Sequence, residues 1–434
     1  MAAIYDAEVS RYLIRYGMGL SPHVITRARG SRIWDQEGRE FLDFTSGQMC
    51  ATIGHNHPKI VEAMQRACEG VLHLYSGFVG SAVVSLAERL AKLLPAPLTK
   101  SLFLSTGAES NDAAMRMARL YTGRYEIVGF AGGWHGVTGG TASLTFAGEH
   151  HLEYGPRMPG SISIAPPNCY RCPVRQCRDT CNTVCLDVGF DVVDAQSSHS
   201  LAAFIAEPVL SVGGIIVPPE GYMPKLKAKC DERGMLLILD EAQTAFGRMG
   251  SNFAFERMGV VPDIVTVSKT LGGGLPLSAT ITSAEIEQRC FERGFVHATS
   301  HVSDPLPAEV GLAVLDVLEA ERLNERATRL GERLKRGLLN LQQRYDIIGD
   351  VRGYGLLLGV ELVKDGTTRE PDSQRGGAIA ARCMELGLSM NIVNFEGLSA
   401  VWRIAPPLTV TEAEIDRALA ILDRAINDIV GGST

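Results

Sequence analysis

The chain has 434 residues, 45% of them hydrophobic and 21% charged, and a net charge of −7. That length accommodates a large domain and a smaller one, each with its own core, and the composition is that of an ordinary globular protein. The modest negative charge argues against nucleic acid or an anionic membrane as a partner. No apolar run reaches transmembrane length, and the amino terminus lacks a basic segment followed by an apolar one, so a cytoplasmic location is expected.

In chain order, residues 1–30 read as an arm with a helix-like stretch from Glu8 to Tyr16. Ser31 to Phe44 reads as a hairpin, with Ile33, Trp34, Phe41 and Leu42 flanking a turn at Asp35–Gly38. From Pro58 onward strand and helix patterns alternate. Strands are predicted at Ser101–Leu104, Tyr125–Phe130, Ala202–Ala206, Met235–Leu239 and Ile264–Val267, with helices such as Asn111–Leu120 and Pro224–Arg233 between them. This alternation predicts an α/β fold with a largely parallel sheet. A long amphipathic helical region at 315–345 precedes a smaller α/β unit. The expected division is therefore residues 1–57 as arm and hairpin belonging to the small domain, 58–315 as the large domain and 316–434 as the C-terminal small domain.

Five of the ten cysteines, Cys169, Cys172, Cys177, Cys181 and Cys185, fall in one stretch. Cys169 and Cys172 form one C-x-x-C pair, the spacing of a structural zinc site. A second such pair is absent, which favours a surface excursion carrying reduced thiols.

The chemistry begins at Val267-Ser268-Lys269, which opens a glycine-rich turn, and at the apolar strand that ends in Asp240. A lysine able to form a Schiff base and a carboxylate able to hold a pyridinium nitrogen protonated are the minimum for pyridoxal-phosphate chemistry. Ser105-Thr106-Gly107-Ala108-Glu109 follows a strand and opens a helix, where first-turn amides and the helix dipole favour a phosphate; the alternative is a plain turn capped by Ser105 or Thr106. Trp134 lies just beyond an apolar strand and suits stacking on a flat ring. Glu207 ends another strand, on the sheet edge where α/β folds bind ligands. Gln243 suits a phenolic oxygen. Arg403, in an apolar setting, needs a carboxylate partner, either from substrate or from a structural salt bridge.

Together with Asp43-Phe44-Thr45-Ser46-Gly47-Gln48-Met49 and Gly54-His55-Asn56-His57-Pro58, these segments fall in the order found in the class III aminotransferases. The chain resembles that family over nearly its whole length. The resemblance implies a fold-type I pyridoxal-phosphate transferase, with a mostly parallel seven-stranded sheet in the large domain and a smaller α/β domain. It implies that Lys269 carries the cofactor and moves protons. Asp240 then pairs with the ring nitrogen, Gln243 meets the ring hydroxyl and Trp134 stacks on the ring, with Glu207 beside them. The phosphate falls to Thr106, Gly107 and Ala108, helped by Ser300 of a second subunit. Gln48, Met49, Asn111 and Arg403 address substrate.

Within the family, Thr299 to Pro307, Ser389 to Val393 and Arg403 to Val410 are similar to the 2,2-dialkylglycine decarboxylases. That similarity implies a decarboxylating transaminase turning 2-aminoisobutyrate-like donors and pyruvate into ketone, carbon dioxide and alanine, with Gln48 selecting the bond. It also implies a potassium or sodium ion on Ser76, Ser300, the Val302 carbonyl and Asp304. Ala298, Val212 and Val137 depart from that branch, and the first two favour the alternative, an ordinary class III aminotransferase with an ω- or α-amino donor. Partners are expected to be small amino and keto acids, in a homodimer or homotetramer with its active site between subunits.

Overall fold

In the computed structural model, residues 12–14, 21–145, 155–174, 181–395 and 399–431 are described. Most of the arm helix expected at Glu8–Tyr16 lies outside that range, as do Cys177 and its neighbours. A seven-stranded sheet organises the molecule, in the spatial order Leu98–Leu104, Ser278–Ser283, Ile264–Val267, Leu236–Asp240, Leu201–Ala206, Glu126–Phe130, Ser161–Ile164. All are parallel except Ser278–Ser283, which runs antiparallel to both neighbours. The central strands Leu201–Ala206, Leu236–Asp240 and Ile264–Val267 are buried along their whole length. Continuous apolar runs of this kind are what a parallel sheet covered on both faces requires.

The reversed strand has only a weak apolar signature, because Ala279 and Ile281 alternate with Ser278, Thr280 and Thr282. Their hydroxyls are buried and donate to the carbonyls of Thr106 (2.7 Å), Ser110 (2.8 Å) and Asp263 (2.8 Å). Two of these bonds fix helix Gly107–Thr122 onto the sheet, so the polar sequence satisfies backbone groups that burial would otherwise leave unpaired.

The expected hairpin forms as Arg32–Asp35 against Glu40–Asp43. Asp35 Oδ1 accepts the amides of Glu37 (3.0 Å) and Arg39 (2.9 Å), which sets the turn. Leu388–Ser389 adds in parallel beside Glu40–Asp43, so the amino-terminal hairpin joins the carboxyl-terminal part of the chain. A second four-stranded sheet is antiparallel throughout, in the order Ile348–Tyr354, Leu357–Leu362, Ser399–Ile404, Asn391–Phe395. The helical region expected at 315–345 is two helices, Pro305–Ala320 and Leu323–Gln342, broken where Arg322 adopts a left-handed backbone (φ 49°). The first of them runs through position 315. Among the described residues no helix is long and apolar enough to cross a membrane.

Candidate active site

Parallel strands point their carboxyl ends the same way, so the residues that follow them gather at one edge. Gly107 follows Leu98–Leu104, Trp134 follows Glu126–Phe130, Glu207 follows Leu201–Ala206, Asp240 closes its strand and Lys269 follows Ile264–Val267. These residues, with Ala108, Asn111, His135 and Gln243, line a cavity of about 100 Å³.

Asp240 is buried, and its orientation is fixed on every side. Its Oδ2 accepts from Asn111 Nδ2 at 2.7 Å and lies 3.0 Å from His135 Nδ1, while Oδ1 accepts the Ala242 amide at 3.0 Å. Asn111 is itself clamped: Nδ2 also donates to the His135 carbonyl (2.9 Å), and Oδ1 accepts from Thr266 Oγ1 (2.6 Å). Asn111, expected to address substrate, therefore orients the carboxylate. His135, adjacent in sequence to Trp134, is Asp240's second side-chain partner in this network.

Lys269 sits in the left-handed region (φ 46°), at the start of a short turn closed by Gly273. A non-glycine residue is held there only when its surroundings over-determine it. The amine is buried, which lowers its basicity; the Asp240, Cys50 and Glu207 side chains oppose that effect. Glu207 Oε1 accepts the Trp134 amide (2.9 Å) and Oε2 the Ser211 amide (3.0 Å), which ties two loops together. Burial pushes its carboxyl up to about 7, with Asp240 adding to the effect and His135 and the two amides opposing it. Trp134 packs with Val212 and Val393.

At the head of helix Gly107–Thr122, Thr106 forms a capping box with Glu109, whose Oε2 accepts the amides of Ser105 (3.1 Å) and Thr106 (2.9 Å). Thr106 thus acts as the cap, and the first-turn amides of Gly107 and Ala108, which have no intrahelical acceptor, are the ones at the cavity wall. Gly136 (φ 134°) closes the same corner; a Cβ there would stand 2.5 Å from the Ala108 Cβ. The backbone approaches closely enough that only glycine fits.

Arg403 lies on strand Ser399–Ile404 and is 7% exposed. Among the described residues no carboxylate pairs with it. Its Nη1 reaches Gln243 Oε1 (3.3 Å) and Ser211 Oγ (3.5 Å), and the Asn391 side-chain oxygen accepts from Nη2 at 2.7 Å once that amide is oriented to satisfy both its atoms. Burial pushes the guanidinium down to about 10, with Glu207 opposing. Gln243 Oε1 also accepts from Ser211 Oγ (2.6 Å). Ser211 and Asn391 were not legible as site residues, since polar side chains in such runs carry no distinctive signal.

Other expected residues lie elsewhere. Gln48 is exposed and outside the cavity wall. Met49 is buried in an apolar cluster with Val209, Ile215 and Ala405. Ser300 and Ser76 are exposed, and among the described residues no hydroxyl bonds to Asp304. The Asp304 oxygens instead meet His73 Nδ1 and His301 Nδ1, each at 2.6 Å. Alkali cations take oxygen shells, so the two imidazoles at Asp304 lend no support to the cation site expected from Ser76, Ser300, Val302 and Asp304. In the cysteine stretch, Cys169, Cys172 and Cys181 form no disulfide among the described residues, and Cys185 is buried. Burial, with Cys181, Cys172 and Cys185 nearby, pushes the Cys169 thiol up to about 12.

The cavity fits pyridoxal phosphate. It offers a buried amine, a fixed carboxylate for the ring nitrogen, an aromatic side chain and two free amides beside a glycine cradle for the phosphate. The model of the class III aminotransferases matches residues 16–426. An uncharacterised aminotransferase of Schizosaccharomyces pombe is 49% identical over 96% of this chain and 94% of its own. The 5-aminovalerate aminotransferase DavT of Pseudomonas aeruginosa is 35% identical over 95% and 96%. A solved amine transaminase from an uncultivated Pseudomonas species, in its pyridoxal-phosphate-bound form, superposes with a TM-score of 0.89 at 30% identity, covering 96% of this chain and 99% of that one. With the sheet, the lysine and the carboxylate in these places, the chain belongs to the class III aminotransferases, pyridoxal-phosphate enzymes of fold type I.

Proposed function

We propose that the protein transfers an amino group from an amino acid to a keto acid such as pyruvate, holding the α-carboxylate of at least the acceptor on Arg403. The observation that carries this reading is the buried guanidinium without a carboxylate partner, one residue removed from the cavity wall through Gln243. A buried cation of this kind is stabilised by a bidentate anion, and the keto acid brings one.

Pyridoxal phosphate, when bound, supplies an aldehyde for the donor amine and an electron sink for the bond broken at Cα. The chain's own residues do the rest. Lys269, with its basicity lowered by burial, has a larger neutral fraction for attack and for moving the Cα proton. Asp240, fixed by Asn111 and His135, presents its carboxylate where it could pair with the ring nitrogen. The amides of Gly107 and Ala108 would hold the phosphate, and Ser300, exposed on its own chain, would serve a second subunit in a homodimer or larger assembly.

Plain transamination is better supported than decarboxylation. The decarboxylating reading rests on Gln48 holding a carboxylate out of plane and on the 299–307 segment, and Gln48 is exposed and outside the cavity wall. The experiment is a donor panel with pyruvate, recording alanine and carbon dioxide together. Alanine from α- or ω-amino donors without carbon dioxide from 2-aminoisobutyrate is the expected result. Equal carbon dioxide and alanine from 2-aminoisobutyrate would restore the decarboxylase reading.

A further inference from the structure

Asp304 occupies the N-cap position of helix Pro305–Ala320, yet its side chain makes no capping bond to the helix. A carboxylate in that position ordinarily accepts a first-turn amide. Here it turns outward instead. Oδ1 lies 2.6 Å from His73 Nδ1 and Oδ2 lies 2.6 Å from His301 Nδ1. The three ligand atoms are all within 4.8 Å of one another, and the two imidazole rings are 5.3 Å apart, tilted by 55°. The Asp304 side chain is 11% exposed, against 53% for His73 and 66% for His301. The carboxylate is therefore the fixed floor of the cluster, and the imidazoles form its solvent-facing rim.

We propose that His73, His301 and Asp304 form a binding site for a divalent transition-metal ion of the zinc or cobalt kind. Two imidazole nitrogens and one carboxylate oxygen on one side of an ion are a ligand set that such metals accept, with the remaining positions left to water. Alkali and alkaline-earth ions prefer all-oxygen shells, so the same geometry that lends potassium no support at Asp304 favours a borderline metal. The cluster is outside the wall of the Lys269 cavity, and its metal has no part in amino transfer.

The ion would act as a clamp. His73 lies in the segment between two helices of the large domain, and His301 lies in the segment that carries Ser300. Helix Pro305–Ala320 packs on the Lys269 turn, where a Cβ on Gly273 would meet Val314 at 3.0 Å and Val310 at 3.3 Å. Joining His73 to His301 through Asp304 would fix the entry to that helix from both sides.

The test uses untagged holoenzyme, stripped with a chelator and titrated with Co²⁺ and with Zn²⁺. Visible d–d bands with Co²⁺, saturating at one ion per chain, and a rise in Tm with Zn²⁺ but not with K⁺, are expected. H73Q and H301Q, both at exposed positions that leave the fold intact, each weaken Zn²⁺ binding at least about tenfold, as loss of one ligand should. H73Q, the variant away from Ser300, keeps its pyridoxal-phosphate absorbance, which separates loss of the metal from loss of the cofactor. Absence of d–d bands, affinity unaltered in both variants, or a Tm rise with K⁺ alone would each overturn the proposal.

Discussion

Replacing Arg403 by methionine separates a substrate-binding arginine from a structural one, because the two roles predict opposite results. Burial holds the guanidinium at about 10, below its ordinary 12.5, which corresponds to about 3 kcal/mol of unfavourable charge burial. Its partners are neutral oxygens of Gln243, Ser211 and Asn391, each worth about 1 kcal/mol. The two contributions nearly cancel. Methionine fills much of the same volume without the charge, so the Tm of R403M should fall by no more than about 2–4 °C and could rise. The keto acid loses far more. Removing one partner of a buried charged pair costs about 2–5 kcal/mol, which raises the KM for pyruvate by roughly 30-fold to several thousand-fold. The assay is amino transfer over a wide pyruvate range, with calorimetry of the same holoenzyme. A Tm lowered by ten degrees or more together with an unchanged KM would refute the argument and make Arg403 a structural residue.

Further expectations concern the cofactor cradle and the buried acids. G136A places a Cβ against Ala108 and Thr141, so pyridoxal phosphate should dissociate on dilution, followed by loss of its visible absorbance. In K269A, borohydride reduction should leave no cofactor-modified peptide, whereas the parent protein carries the label at Lys269. N111A removes one of Asp240's side-chain donors and strands Thr266; about 1–3 kcal/mol of stability and most of kcat should go, with KM for pyruvate little changed. Glu241 is buried and burial pushes its carboxyl up to about 7 from 4.5, against the Thr244 hydroxyl and the amides of Ala254 and Phe255. A raised folded-state value means that its stabilising contribution is complete below pH 4.5 and is lost as pH rises through 7, about 3 kcal/mol in all. E241Q should therefore flatten the decline in Tm between pH 5 and pH 8.

The sequence carried the edge of the sheet better than the orientation of what stands on it. Lys269, Asp240, Glu207 and Trp134 were legible because each follows an apolar strand, and parallel strands place such ends together whatever the details. Hydrogen-bond partners are set by long-range packing. Asn111 binds Asp240 across 129 positions of sequence, and nothing local distinguishes it from a side chain aimed at substrate. Thr106 shows the same limit: cap and phosphate ligand have identical local signatures, and only the Glu109 bonds decide. Strand Ser278–Ser283 escaped notice because its hydroxyls bond to helix and loop carbonyls, where an apolar strand would have shown a periodic pattern.

The charges of the cavity give the most general reason for reading it as a receptor for anions. Asp240 is fixed by two side-chain partners and an amide. Glu207 titrates at about 7, so near neutral pH it carries only part of a charge. Lys269 and Arg403 are both weakened as cations by burial, and the head of a sixteen-residue helix presents its amides beside them. Each cationic or dipolar group is under-compensated in the absence of ligand. A phosphate at Gly107–Ala108 and a carboxylate at Arg403 would relieve two of these deficits at separate places, leaving the amine of Lys269 between them. An uncharged amine acceptor lacking a carboxylate relieves only one. Keto acids should therefore outcompete the corresponding simple ketones as acceptors by at least about a hundredfold in kcat/KM, the equivalent of about 3 kcal/mol. Comparable rates with pyruvate and with acetone would remove Arg403 from substrate recognition.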